Sequence, residues 1–122
     1  MARVVHFEIG ADDPEKIVNF YRSVFDWTIE KWDGPMEYWL VMTGDTSEPG
    51  IDGGIGRRTE SWDKIVNTIS VESVEEYVKK IESLGGTIIR PKSAIPGVGY
   101  LAYCMDPDGN PFGIMQDDQS AE

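Results

Sequence analysis

The pattern of apolar and polar residues at the start of the chain predicts a β-strand over residues 3–9. Three apolar side chains alternate with His6 and Glu8, the period of a strand with one buried face. The apolar members are Val5, Phe7 and Ile9. His6 and Glu8 therefore share the other face of this strand.

A helix is predicted next, because the apolar residues now recur every three to four positions instead of every two. Asp13 is a suitable N-cap and Pro14 suits the first helical position. The apolar stripe of the helix consists of Ile17, Phe20, Tyr21, Val24 and Phe25. Three further strands are predicted over residues 27–32, 36–43 and 53–58.

The second half of the chain shows the same order of elements. A strand is predicted over residues 64–71, followed by a helix that Ser73 caps and that ends at Gly85 and Gly86. Three more strands are predicted over residues 87–90, 99–105 and 111–116. We expect the first of these three to stop at Pro91 and a turn over residues 106–110 to precede the last.

The spacing of equivalent residues indicates an internal repeat. The two caps, Asp13 and Ser73, are 60 residues apart, and His6 and Asn67, each within a first strand, are 61 apart. We therefore predict two βαβββ modules, about 1–60 and 61–117, followed by a polar tail at 118–122. Together they form one α+β domain over residues 1–122, with the helices outside.

Charge narrows the range of partners. The chain has 11 Lys and Arg residues against 22 Asp and Glu, a formal net charge of −11. Such a charge repels nucleic acids and anionic membrane surfaces, so we expect neither as a partner. No apolar run approaches the length of a membrane span, and residues 1–9 lack the features of a signal peptide. We expect a cytoplasmic protein, and its single cysteine, Cys104, excludes an intrachain disulfide.

The repeat and three segments resemble the vicinal oxygen chelate superfamily, which includes glyoxalase I, bleomycin-resistance proteins and extradiol dioxygenases. The segments are VVHFEI at residues 4–9, NFYRSVFDW at 19–27 and DPDGNPFGIMQ at 106–116. The resemblance covers almost the whole chain and is strongest to small glyoxalase-related proteins. It implies a curved mixed sheet with a concave cleft, and a homodimer.

The resemblance also implies a metal ligand from each of four strands, and here only His6 matches. The second module offers Asn67 where a histidine is usual, and the last strand offers Gly113 where a glutamate is expected. The fourth strand has no carboxylate or amide near Ile55. Three protein ligands are normal for a catalytic metal, so we expect no tight cofactor, although a divalent metal held by His6 stays possible.

Alternation along the strands predicts which residues line the cleft. The expected lining residues are His6, Glu8, Tyr38, Arg57, Asn67, Ile69, Gly113 and Met115, with Trp39 an alternative to Tyr38. Such a pocket suits a small organic molecule. We therefore expect a small-molecule binding protein, in which His6 and Glu8 are the candidate catalytic residues. The alternative is a metal-dependent lyase, isomerase or dioxygenase.

Overall fold

The protein is described by a computed structural model that covers residues 2–59 and 65–122. Two compact units divide the chain, one comprising His6–Val66 and the other Asn67–Glu122 together with residues 1–5. The described helices include none that is long and apolar enough to cross a membrane. Each unit holds one helix and four strands, which confirms the predicted α+β class and the repeat.

The first module is a mixed sheet in the order β2-β3-β4-β1, with α1 packed on one face. The elements are β1 (Arg3–Ala11), α1 (Pro14–Phe25), β2 (Thr28–Lys31), β3 (Tyr38–Met42) and β4 (Asp52–Arg57). β1 and β4 are parallel, whereas β3 is antiparallel to both β4 and β2.

The second module repeats this topology in the order β5-β8-β7-β6. Its elements are β5 (Ile65–Ser70), α2 (Val74–Ser83), β6 (Thr87–Ile95), β7 (Gly99–Met105) and β8 (Pro111–Asp117). β5 and β8 are parallel, and β7 is antiparallel to β8 and β6. Lys64, the predicted first residue of β5, lies outside the described residues.

Both helices begin where the caps predict. The Asp13 carboxylate accepts a hydrogen bond from Lys16 N at 3.3 Å, and the Ser73 hydroxyl accepts one from Glu76 N at 3.2 Å. Each helix packs apolar residues against its own sheet, in two separate clusters, and Val18 and Val74 are buried in them. The predicted stripe of α1 is only partly buried, because Phe20, Val24 and Phe25 are each 54% exposed.

The predicted end of β6 at Pro91 is wrong, because the strand continues through it to Ile95. β6 is the last strand of its sheet, where one edge forms no ladder, so proline's missing N–H is tolerated. The register also shifts between Arg90 and Ser93, which takes Pro91 out of the regular pairing.

The predicted turn before β8 is confirmed. Asp106 accepts hydrogen bonds from the backbone N–H groups of Asp108 and Asn110, each at 2.9 Å. Gly109 has a φ of 88°, a conformation that glycine adopts without strain. The hydrogen bonds, first of all those from Asn110, lower the pKa of Asp106. These contacts give Asp106 a structural role.

Candidate functional site

The helix-free face of the first module is the sheet surface opposite α1, and it carries His6 and Glu8. Phe7 and Ile9 contact the α1 cluster, so the residues between them point the other way. Trp39 is also part of that cluster, whereas Tyr38 lies on the helix-free face. The structure thus resolves the choice between Tyr38 and Trp39 that alternation left open.

A hydrogen bond joins His6 and Tyr38 across this face. The Nε2 atom of His6 lies 2.8 Å from the hydroxyl oxygen of Tyr38. The phenol can donate to an unprotonated Nε2 or accept from a protonated one, so the contact serves both tautomers of the neutral ring. Trp32 packs edge-on against Tyr38, with 6.1 Å between ring centroids. The pair therefore has a fixed place beside an aromatic wall.

Gly54 provides the space in which the Tyr38 ring lies. A Cβ atom at Gly54 would overlap the hydroxyl group and the ring of Tyr38. In register across the sheet, Leu40 pairs with Gly54, and Gly54 pairs with Glu8. A larger residue at position 54 would displace Tyr38 and break its contact with His6.

Burial and two nearby carboxylates shift the pKa of His6 in opposite directions. Burial lowers the pKa of His6 below its ordinary value of 6.5, and the nearby carboxylates of Glu8 and Asp52 partly offset this effect. Glu8 is 7% exposed. Asp52 pairs with His6 in the β1–β4 register, and its carboxylate accepts a hydrogen bond from Thr43 N at 2.9 Å. His6 is therefore a neutral hydrogen-bonding group at neutral pH.

The helix-free face of the second module carries Gly113 together with Thr68 and Tyr103. Gly113 pairs with Thr68 on β5 and with Tyr103 on β7. A Cβ atom at Gly113 would lie 3.3 Å from the Thr68 hydroxyl oxygen and 3.4 Å from the Tyr103 ring. Met115 shares this face by alternation. Gly113 and Met115 are thus on the face that the sequence predicted for them.

Three residues predicted for the cleft lie on the opposite face. Ile69 packs against the α2 cluster, and Asn67 shares its face by alternation. Arg57 pairs with Ala11, whose side chain belongs to the α1 cluster. The Arg57 guanidinium forms an ion pair with Glu37 at 3.0 Å, which lowers the pKa of Glu37 and raises that of Arg57.

The predicted alignment of β5 with β1 was wrong by one residue. The prediction matched Asn67 to His6, but Glu8 and Thr68 are the residues that pair with the equivalent glycines of the two modules. Their spacing is 60 residues, the same as that of the two helix caps, so Val66 is the counterpart of His6. The 60-residue spacing between the two helix caps, applied to Glu8, identifies Thr68 as its counterpart.

The residues at the four expected ligand positions do not fit a divalent metal. Of these positions, only that of His6 has a side chain that commonly binds a metal, since Asn67 lies on the opposite face and Ile55 and Gly113 offer no ligand. Among residues 2–59 and 65–122, no group of three or more histidine, cysteine, aspartate or glutamate side chains is placed to hold a metal ion.

A solvent-open pocket of about 300 Å³ lies in the loop between β3 and β4. Its walls are residues 43–46, 48–50 and 52, and it contains none of the residues that the sequence predicted for the site. The loop is held by its own contacts, among them a hydrogen bond from the Thr43 hydroxyl to Ile51 O at 2.7 Å. We assign the pocket no role.

The comparison with known proteins agrees with the fold. The family model described as the glyoxalase/bleomycin resistance protein/dioxygenase superfamily matches residues 3–114. No curated protein sequence matches the chain significantly.

Several solved structures share the fold at low sequence identity. A methylmalonyl-CoA epimerase bound to methylmalonyl-CoA is 13% identical, with a TM-score of 0.69 and coverage of 100% of this chain and 99% of the epimerase chain. A hypothetical protein from Bacillus halodurans C-125 is 15% identical, with a TM-score of 0.69 and coverage of 99% and 98%. The epimerase from Mycobacterium tuberculosis is 10% identical, with a TM-score of 0.67 and coverage of 93% and 87%. At these identities the likeness shows the fold alone.

Proposed function

Because the chain belongs to the glyoxalase/bleomycin resistance protein/dioxygenase superfamily, we propose that it binds a small organic molecule on the helix-free face of its first module. The observation that carries this proposal is the hydrogen bond of 2.8 Å between His6 and Tyr38, built over the bare backbone of Gly54. A polar pair held in a fixed place on a sheet face is a means of orienting a ligand.

The chemistry of the face favours a ligand with an apolar or aromatic body. Leu40 is 40% exposed at the register position next to Gly54, and Trp32 adds an aromatic surface. His6, neutral at neutral pH, exchanges hydrogen bonds with an uncharged donor or acceptor. Glu8 supplies the second polar group of the site.

The metal-dependent alternative has less support from the residues present. A lyase, isomerase or dioxygenase of that type needs about three protein ligands, and His6 is the only metal-binding side chain at the four expected positions. If the protein is catalytic, His6 and Glu8 are its acid or base. The homodimer and the cytoplasmic location stay predictions from the sequence.

A fragment screen tests the proposal. Phenol, indole and benzamide are titrated at millimolar concentrations into the full chain, and the thermal midpoint and ¹⁵N–¹H spectra are recorded. We expect at least one fragment to shift the backbone signals of His6 and Gly54. Tyr38→Phe should weaken that binding, because the hydroxyl that orients His6 is lost.

Tyr77→Phe is the matched control, since Tyr77 lies on α2 in the other module. It should leave fragment binding unchanged. Equal weakening by Tyr38→Phe and Tyr77→Phe, or fragments that shift only signals outside the helix-free face of the first module, would contradict the proposed function.

A further inference from the structure

An exposed apolar surface lies at the carboxyl end of α1. Phe20, Val24 and Phe25 are each 54% exposed and lie within two turns of one another. Single exposed apolar residues are ordinary, whereas a contiguous group of them marks an interaction surface. We call these three side chains, together with Lys16 and Asp26 at the two ends of the group, the α1 surface.

The aromatic rings of the α1 surface are supported by rings of the core. Tyr21 and Trp27 pack against the α1 cluster, and they stack with an interplanar angle of 3° and 5.2 Å between centroids. Phe25 stacks on Trp27 at 5.2 Å, and Phe20 meets Tyr21 edge-on at 5.3 Å. Because both exposed rings already have fixed positions, little side-chain entropy is lost when a partner covers them.

The second module shows that the fold does not require these residues. At the 60-residue spacing of the helix caps, Phe20 corresponds to Lys80, which is exposed on α2. The left-handed residue that follows the helix is Gly85 after α2, with a φ of 95°, but Asp26 after α1, with a φ of 58°. Glycine is the more favourable residue there, and a negative charge at a helix carboxyl end opposes the helix dipole. The first module thus keeps a carboxylate beside its exposed rings although the helix end disfavours it.

The charges at the two ends of the α1 surface are opposite, and neither is neutralised within the chain. Lys16 and Asp26 are both exposed, and neither forms an ion pair among the described residues. Arg22, the other cation of α1, donates a hydrogen bond to Ile29 O. The α1 surface therefore offers an unpaired ammonium at one end and an unpaired carboxylate at the other.

This arrangement is complementary to itself. Lys16 and Asp26 lie five residues on either side of Tyr21, about 7.5 Å each way along the helix axis. If two copies of α1 run antiparallel about a two-fold axis at the level of Tyr21, Lys16 of each copy lies level with Asp26 of the other. Phe20 and Val24 share the face of Lys16, since the three are four residues apart, and they meet the same side chains of the second copy.

We infer that the α1 surface forms a symmetric, antiparallel contact with the α1 surface of a second copy of this chain. α1 has 12 residues, so it is about 18 Å long and about 10 Å wide. That area is smaller than the roughly 800 Å² that each chain buries in a stable dimer, and the formal net charge of −11 on each chain opposes association. The dimer is therefore weak and reversible. The inference does not depend on the proposed function, because α1 lies on the opposite face of its sheet.

Sedimentation velocity of the full chain at physiological salt, from micromolar to millimolar chain concentration, tests the inference. We expect a monomer at the lowest concentration and a dimer at the highest. Phe20→Ser should raise the dissociation constant by about tenfold, because an aromatic anchor of the contact is lost. Leu84→Ser is the matched control, since Leu84 is 72% exposed at the end of α2, and it should change the constant less than about twofold. Thermal midpoints of both variants verify that the monomers remain folded.

An exchange of charges tests the antiparallel geometry. Lys16→Asp places two carboxylates opposite each other in the pair, and Asp26→Lys places two ammonium groups opposite each other, so each variant should weaken the dimer. The double variant restores both ion pairs with their signs exchanged, and its dissociation constant should return close to that of the wild type. Lys79→Asp, on the exposed surface of α2, makes the same change in net charge outside the α1 surface and should have a smaller effect than Lys16→Asp.

Three results would overturn the inference. The first is a chain that stays monomeric up to millimolar concentration. The second is a dimer that Phe20→Ser weakens no more than Leu84→Ser does, because the contact would then lie on another surface. The third is a double charge variant that dimerises no better than Lys16→Asp alone, because the two charges would then not face each other.

Discussion

The Tyr38 hydroxyl occupies the place that a side chain on Gly54 would need. The two residues are on adjacent strands, and the same hydroxyl reaches the imidazole of His6. Gly113 is the equivalent glycine of the second module, but its neighbours stand 3.3 Å or more from a Cβ position. A Cβ atom would therefore overlap the Tyr38 ring at Gly54, whereas at Gly113 it would be in close contact with Thr68 and Tyr103 without overlapping them.

This difference predicts unequal costs for the same substitution. Gly54→Ala forces the Tyr38 ring to move, and we expect it to lower the free energy of unfolding by about 1–3 kcal/mol, the range for overpacking. Gly113→Ala adds a methyl group at near-contact distance and should cost less than about 1 kcal/mol by the same reasoning. Urea titration of both variants measures the difference. A larger loss for Gly113→Ala would show that the packing of the two faces is the reverse of this description.

The pH dependence of stability should carry a contribution from His6, the only histidine in the chain. Its pKa is lowered in the folded state, chiefly by burial, so the unfolded chain binds the proton more readily. The contribution is fully present above the ordinary pKa of 6.5 and is lost as the pH falls below that value. Urea titrations from pH 8 to pH 5 should therefore show a decline that His6→Gln reduces. An identical decline in the variant would mean that His6 is not the group responsible.

Cys104 should be unreactive in the folded protein. It is fully buried in the α2 cluster, and burial, with a smaller effect of Glu82, raises the pKa of its thiol to about 11. Because the thiolate is the reactive form, a disulfide reagent should label the thiol at the rate of unfolding. Labelling in denaturant provides the reference rate. Rapid modification under native conditions would contradict the burial of β7.

The metal content of the purified protein tests the prediction that it holds no tightly bound metal. Protein purified without added metal should hold well under one equivalent of zinc, nickel, iron or manganese, because the donor groups beside His6 form no set of three within residues 2–59 and 65–122. Elemental analysis of the wild type and of His6→Ala measures this. Stoichiometric metal that disappears in the variant would favour the metal-dependent alternative.

The repeat made most of the fold predictable from the sequence. The caps Asp13 and Ser73 and the apolar stripes behind them depend on short-range chemistry, which a sequence records directly. β6 was predicted too short because Pro91 ends a central strand but is tolerated at an edge. Edge position is a property of the sheet order, which follows from pairings distant in sequence.

The site was predictable only in part, because an error of one residue in the register of a strand moves every side chain to the opposite face. His6 and Glu8 were assigned to the helix-free face through the apolar residues around them. Asn67 and Ile69 were assigned through a spacing of 61 residues, whereas register gives 60 and selects Thr68. Arg57 is the last residue of β4 and lies on the α1 side of the sheet. The glycines before it do not alternate between polar and apolar residues, so the sequence does not show which face Arg57 occupies.

The chain's single histidine permits the most direct test of ligand binding at the first module. His6 gives one imidazole Hε1 signal in a proton spectrum, and phenol, indole, benzamide and benzoate can be titrated against it at a pH above the histidine's titration range. If a small molecule binds on the helix-free face, at least one fragment shifts this signal in a saturable manner, and Gly54→Ala reduces the shift. Fragments that bind without moving the His6 signal would contradict the account.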